Sequence, residues 1–216
     1  MENKKGILLA SGGLDSTTMA YWLLNQSIDF IPLFINYGQH CAGTELETLK
    51  KVLPIGYAEK IEIVDISSLY RYSKSKFIQE ADLWEDNIVA DDLYIPYRNV
   101  LLLTIGATFA QTLQITNVYS AFINSNHAKE IDCSNSFFEQ MESMLQDYGP
   151  VKINMPFRYF TKYEVAKVGI ELGASIGSTF SCQASPVIPC GACPNCVDRL
   201  EAFKKIDEET PQNRTI

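Results

Sequence analysis

At 216 residues the chain suits one domain with a small appendage, and it can bury a core without disulfide help. A hydrophobic share of 46% and a charged share of 20% are those of an ordinary globular protein, and no apolar run reaches the roughly 20 residues that span a bilayer. The net charge of −8, without any basic run, argues against a general nucleic-acid binder, which needs surplus Lys and Arg, and favours a small-molecule substrate. The amino end offers only about five apolar residues in a row, too few for a signal-peptide core, so a cytoplasmic protein without membrane contact is expected.

Ile7-Leu8-Leu9-Ala10 is a short apolar run of the kind a buried parallel strand shows. A Ser-Gly-Gly turn ends it. Leu14, Thr18 and Trp22, with Met19 and Leu23 beside them, then recur at helical spacing and predict a helix over 15–26. A second strand is expected over 30–35, part of a second helix over 45–53, and a third strand over 60–65. This alternation predicts an α/β fold with a parallel sheet. Residues 67–95 have mixed polarity and weak periodicity, and read as an excursion over the carboxyl edge of the sheet that serves as a lid. A strongly apolar helix follows over 99–112, then a strand over 117–122, a helix over 134–146 capped by Ser134-Asn135-Ser136, and a short strand over 152–155. Thr161 and Glu164 form a capping box for a helix that runs to 172 and stops at Gly173. The last helix is expected over 198–206.

A strand, a glycine-rich turn and a helix start make an anion site, because unpaired backbone N–H groups and the positive helix end face the same point. Gly12 and Gly13 let the backbone approach a phosphate, and the Ser11 and Ser16 hydroxyls can donate to it. No Gly-Lys-Ser/Thr follows, so this is not the P-loop of kinases. An ordinary turn with Asp15 as helix cap would use the same residue types, but the motif ends the first strand, where α/β proteins bind ligands.

Of six cysteines, Cys41 and Cys133 stand alone and read as small packed residues. Cys182, Cys190, Cys193 and Cys196 are spaced C-x7-C-x2-C-x2-C, which suits a closed, structural tetrahedral zinc site that staples the C-terminal segment; an iron–sulfur cluster can use the same ligand set.

Ser-Gly-Gly-x-Asp-Ser after the first strand resembles the pyrophosphate loop of the PP-loop ATP pyrophosphatases, a branch of the adenine nucleotide α-hydrolase-like, Rossmann-like proteins. Almost end to end, the chain resembles the 7-cyano-7-deazaguanine synthase (QueC) family. The matching pieces are Ser11 to Ser16, Tyr37-Gly38-Gln39 with Glu45 further on, Pro96-x-Arg98-Asn99, Asp132-Cys133 and Thr161-Lys162-x-Glu164. Ser181-Cys182, Cys190-Gly191-x-Cys193-x-x-Cys196 and Arg199 complete them. The resemblance implies an ATP-binding α/β domain over 1–175 and a zinc-binding segment over 176–216 packed on it. It implies ATP-dependent activation of 7-carboxy-7-deazaguanine as an acyl adenylate, amide formation with ammonia, and dehydration to a nitrile by a second activation. Ser11, Gly12, Gly13, Leu14, Asp15 and Ser16 would hold the pyrophosphate end, with Asp15 near Mg2+. Arg98 and Lys162 would supply positive charge, although either also suits a structural salt bridge. Tyr37, Gly38, Gln39 and Asn99 would lie by the nucleotide, although Gln39 also reads as plain loop and Asn99 as a helix cap. Relatives are often homodimers.

Two positions depart from the family. Tyr97 stands where the family writes glycine in Pro-Gly-Arg-Asn. The base-binding stretch Asp-x-Ser-Gly-Tyr-Pro-Asp-Cys-Arg is here Asn126-His127-Ala128-Lys129-Glu130-Ile131-Asp132-Cys133-Ser134, so only Asp-Cys survives. Asn126, Glu130 and Asp132 are the substrate candidates, since a carboxylate suits a base edge with adjacent N–H donors. The adenylating half reads as intact and the substrate half as rewritten. A relative that joins a deazaguanine-like acid to another amine, even a protein amine in an antiviral defence system, fits these departures. A tRNA-modifying sulfurtransferase with Cys133 as thiol is the remaining enzyme alternative, and it needs a basic face.

Overall fold

The computed structural model describes residues 5–80, 90–123 and 133–209. Strands β1 (Lys5–Leu9), β2 (Asp29–Asn36), β3 (Glu62–Asp65), β4 (Asn117–Tyr119) and β5 (Lys152–Asn154) form one sheet in the order β3-β2-β1-β4-β5, with every neighbouring pair parallel. The helices are α1 (Leu14–Asn25), α2 (Ala42–Val52), α3 (Arg98–Thr112), α4 (Asn135–Tyr148), α5 (Lys162–Glu171) and α6 (Pro194–Glu209). None of them is long and apolar enough to cross a membrane. This is the parallel α/β architecture that the strand–helix alternation predicts.

Side chains alternate across a strand, so a sheet covered on both sides needs apolar residues at consecutive positions. Leu8, Phe30, Phe34 and Tyr119 face one layer, where α1, α2, α5 and α6 contribute Met19, Leu23, Leu49, Val165 and Ala202. Ile7, Leu33, Ile35, Val118 and Ile153 face the other, packed on Leu103 and Ala107 of α3 and on Phe138 and Met141 of α4. Strand order reverses between β1 and β4. Loops leaving these two strands therefore diverge and open a crevice at the carboxyl edge.

Element starts moved where no side chain signals them. α2 runs from Ala42 to Val52 behind Cys41, which makes no side-chain cap, and contains most of the stretch expected over 45–53. α6 opens at Pro194 in place of Asp198, because proline at the first helical position leaves no N–H to satisfy. β4 is shorter than expected: past Ser120, whose N–H still donates to the Asn154 carbonyl at 3.0 Å, the chain leaves the sheet. In its described parts the excursion over 67–95 is packed down on the molecule. Tyr70, Phe77, Leu93 and Ile95 are buried with Tyr37 in a satellite core. The Tyr70 hydroxyl donates to the Pro96 carbonyl at 2.9 Å, and Lys76 N–H to the Asp92 carbonyl at 2.8 Å. These residues form a packed wall.

Candidate active site

The crevice is a cleft of about 280 Å3, at the lower end of ligand-sized cavities. Ser11, Gly13, Leu14, Asp15 and Ser16 line one wall. Gly13 is the N-cap of α1 and no side chain caps the helix, which leaves the N–H groups of its first turn for a ligand. The Ser11 and Ser16 hydroxyls lie 3.4 Å apart, and Ser11 N–H donates to Ser16 Oγ at 3.3 Å, so the loop is closed on itself. Gly12 also packs against α2. It is absent from the cleft lining, its φ is +76°, and a Cβ there would meet the Glu45 carbonyl at 2.6 Å and Leu49 N at 2.7 Å. Its missing side chain makes room for α2, while Gly13 lines the cleft.

Asp15 is not the helix cap that its residue type also suited. Its Oδ2 accepts from Lys162 Nζ at 2.5 Å, while Oδ1 is buried and has no partner. Lys162 arrives there through packing. The expected capping box forms: Thr161 Oγ1 accepts from Glu164 N–H at 3.2 Å and Glu164 Oε2 from Thr161 N–H at 2.7 Å, which fixes Lys162 as the first residue of α5. α5 crosses close to α1 because Gly169 lacks a side chain; a Cβ there would lie 2.6 Å from Thr18 Oγ1. The ion pair is thus both structural and part of the cleft lining.

The facing wall is built from Tyr37, Gln39, Glu45, Phe77, Arg98 and Asn99. Gln39 is no plain loop residue. Only 4% exposed, it accepts from Tyr37 N–H at 2.9 Å and donates to the Ile35 carbonyl at 3.4 Å and to Glu45 Oε2 at 2.9 Å. Gly38 shapes this turn with a φ of +90° and does not line the cleft. Arg98 lies over the Phe77 ring at 5.0 Å, donates to Asn99 Oδ1 at 3.2 Å and hydrogen-bonds the Tyr37 hydroxyl. Burial pushes the Tyr37 hydroxyl well above the ordinary phenol range. Burial also pushes Glu45 up to about 7, although the Gln39 hydrogen bond and the Arg98 charge pull it down. Asn99 is fully buried and donates to Cys133 Sγ at 3.1 Å; it does not cap its helix. Tyr97 takes the cap position with φ +57°, and the residue is 72% exposed. The backbone keeps the left-handed turn that suits glycine, and the bulky ring is turned out to solvent.

Across the mouth, Phe180, Ser181, Gln183 and Asn195 complete the lining. They belong to the four-cysteine element. The sulfurs of Cys182, Cys190, Cys193 and Cys196 lie within 4.8 Å of one another, and a tetrahedral zinc with Zn–S near 2.3 Å draws sulfurs to about 3.8 Å. Ser185 and Cys190 N–H groups donate to Cys182 Sγ at 3.3 Å, and Cys193 N–H to Cys190 Sγ at 3.3 Å, so backbone dipoles already favour thiolates. Cys193 and Cys196 donate to Cys182, holding that thiol below its usual range; the same sharing pushes Cys193 up to about 11. A cation would replace these shared protons, so the donor set fits a metal. Cys41, which reads as isolated in the sequence, packs into the same cluster, and burial pushes its thiol up to about 12. Phe180 N–H donates to the Gly12 carbonyl at 3.1 Å and His40 Nε2 to the Gln183 carbonyl at 2.9 Å. The element is therefore a wall of the cleft, not a remote staple.

Comparison with known proteins agrees with this geometry. The family model described as "Queuosine biosynthesis protein QueC" matches residues 5–207. The chain belongs to the QueC family. It is 34% identical to the 7-cyano-7-deazaguanine synthase of Hahella chejuensis (strain KCTC 2396) over 96% of this chain and 91% of that one. It is 30% identical to 7-cyano-7-deazaguanine synthase 1 of Desulfitobacterium hafniense (strain Y51) over 94% and 93%. Among solved structures, a 4-thiouridine synthetase in complex with RNA and bound ATP superposes with a TM-score of 0.53 at 16% identity, which speaks for the fold alone. That match covers 96% of this chain, which spans about half of the synthetase's length, 50%.

In this QueC-family chain, the substrate candidates Asn126, Glu130 and Asp132 lie outside the described residues. The flanks of their segment are placed: Ser120, Ala121 and Phe122 line the cleft, and Cys133 is bonded to Asn99. Sequence reasoning gave no role to Glu45, although the family resemblance includes it, and it missed Phe77 and Gln183. Glu45 carries a weak signal, an acid in the first turn of a helix after the second strand. Phe77 carries none.

Proposed function

We propose that this chain is an ATP-dependent, AMP-forming ligase that activates a 7-deazaguanine-type carboxylate and joins it to a nitrogen nucleophile. The observation that carries this reading is the placement of the phosphate loop, the Lys162–Asp15 pair and Arg98 around one cleft of a QueC-family chain. The substrate carboxylate, already a nucleophile, attacks the α-phosphorus of ATP; the bond to the bridging oxygen breaks and pyrophosphate leaves. First-turn N–H groups of α1 with Ser11 and Ser16 hold the departing pyrophosphate. Lys162 and Arg98 offset the charge that gathers there, and such fixed charges act most strongly in a cleft that excludes water. Asp15 Oδ1, buried and unpaired, fits Mg2+, which would supply further neutralisation of the phosphates. The four cysteines fit a structural Zn2+, with residues 1–175 as the ATP-binding body and 176–216 as the zinc-holding segment upon it.

The segment with Asn126, Glu130 and Asp132 chooses the acid and the amine, and its departures leave two products to separate. With ammonia the product is the amide and then the nitrile; with another amine, including one on a protein, it is a conjugate. Incubating purified protein with ATP, Mg2+, 7-carboxy-7-deazaguanine and ammonia, followed by mass spectrometry, tests this. AMP with nitrile supports the synthase reaction, AMP without nitrile supports a conjugating relative, and the absence of both defeats the ligase reading.

A further inference from the structure

Two acids line the cleft among the described residues, Asp15 and Glu45. Asp15 is engaged by Lys162, whereas no part of the adenylation step uses Glu45. Its carboxylate is held by one clamp: Oε2 accepts from Gln39 Nε2 at 2.9 Å, and Gln39 is itself fixed by Tyr37 N–H and the Ile35 carbonyl. Oε1 accepts nothing from the described residues, and it is not among the buried, unpaired atoms that include Asp15 Oδ1. It faces the cleft. The titratable groups around it are Tyr37 beyond β2, Cys41 ahead of α2 and Arg98 on α3. Burial keeps Tyr37 and Cys41 protonated at neutral pH, so Arg98 is the charge that acts on Glu45 there.

We propose that Glu45 is the proton acceptor for the nitrogen nucleophile in the bond-forming half of the reaction, an inference that rests on the ligase reading above. In water the nucleophile arrives as ammonium, which has no lone pair to attack with. Glu45 Oε1 takes one proton from it. The freed pair forms the C–N bond at the acyl carbon, the bond from that carbon to the adenylate oxygen breaks, and its electrons leave on AMP. The surplus proton on the new amide nitrogen goes to water, as does the one on Glu45. A carboxylate poised near 7 takes and returns a proton with little loss at working pH, which an exposed glutamate does not.

Glu45→Gln keeps the size and the Gln39 hydrogen bond but cannot take a proton. Three rates are compared from pH 5.5 to 8.5: acid-dependent exchange of labelled pyrophosphate into ATP, transfer to ammonia, and transfer to hydroxylamine, which is already unprotonated at neutral pH. Transfer to ammonia is expected to fall by about 10²-fold or more, with its rising limb near pH 7 lost, while exchange falls by less than about tenfold and hydroxylamine capture persists. Equal losses with ammonia and hydroxylamine, a raised KM for the acid at unchanged kcat, or no loss at all would overturn the assignment. Wild-type protein without acid-dependent exchange would instead defeat the ligase reading itself, and this inference with it. Where Glu45→Gln does not fold, Glu45→Asp, which keeps the acid but draws it back, is expected to retain partial ammonia transfer; full loss with both nucleophiles would again overturn the proposal.

Discussion

Across one cleft, the loop from Ser11 to Ser16 makes one wall from a single stretch of chain, whereas Tyr37, Gln39, Glu45, Phe77 and Arg98 make the facing wall from separate points of the chain. The first wall is set by a turn and a helix start, which six residues specify by themselves. The second exists only because β2, α2 and α3 converge at the switch point. A wall of the first kind fails when its backbone is forced, and one of the second kind fails when packing elsewhere lets go. The four-cysteine element touches both, through Phe180 on Gly12 and through Gln183 on His40.

Metal removal should break the comparison most severely. A structural zinc is worth on the order of 10 kcal/mol, and one held by the four cysteines would sit behind both walls. Stripping the metal with a chelator, or Cys193→Ser, is expected to abolish cooperative melting and nucleotide binding together. Calorimetry with nucleotide titration checks this, and an unchanged melt would show that the four thiols hold no metal. Next comes Lys162→Ala, which removes a cation from the cleft and leaves the Asp15 carboxylate unpaired. Pyrophosphate release is expected to fall about 10²–10³-fold while the melting temperature moves by a few degrees, since the pair is only partly exposed and its loss strands a charge.

Gly12→Ala tests the local wall. A methyl group would press on the Glu45 carbonyl and on Leu49 N, both backbone, at a φ of +76°. Denaturant unfolding should show a loss of about 1–3 kcal/mol, and nucleotide binding should weaken with it because α2 is pushed from the loop. Tyr97→Gly has the smallest expected effect and the opposite sign. It relieves a left-handed non-glycine residue, worth about 1 kcal/mol, part of which is taken back by the freer unfolded chain. A net gain of about half a kcal/mol should appear, and a loss would show that the exposed ring makes contacts of its own.

The pH dependence of stability gives a further handle on the facing wall. Burial raises Glu45 in the folded protein to about 7 from its ordinary 4.5. The protonated form is then favoured by folding, so its contribution is complete below about pH 4.5 and is lost as pH rises through about 7. Glu45→Gln should accordingly be more stable than wild type at pH 8 and level with it at acid pH.

What could be read without coordinates was whatever is written in neighbouring residues. Apolar runs near 7–10 and 30–35 announced strands, Thr161 and Glu164 announced a capped helix, and Ser11 to Ser16 announced a glycine-rich turn into a helix. The spacing of four cysteines announced a ligand set. Each rests on local rules: alternation across a pleat, unpaired N–H groups at a helix start, thiols on tight turns. The tertiary structure alone decided that Gly12 packs against α2, that Lys162 meets Asp15, that Cys41 joins the distant cysteines, and that Glu45 and Arg98 share one wall of the cleft. Such contacts join residues far apart in the sequence, 147 positions for Lys162 and Asp15. They depend on strand order and on how closely helices cross, and neither is written in a run of adjacent side chains.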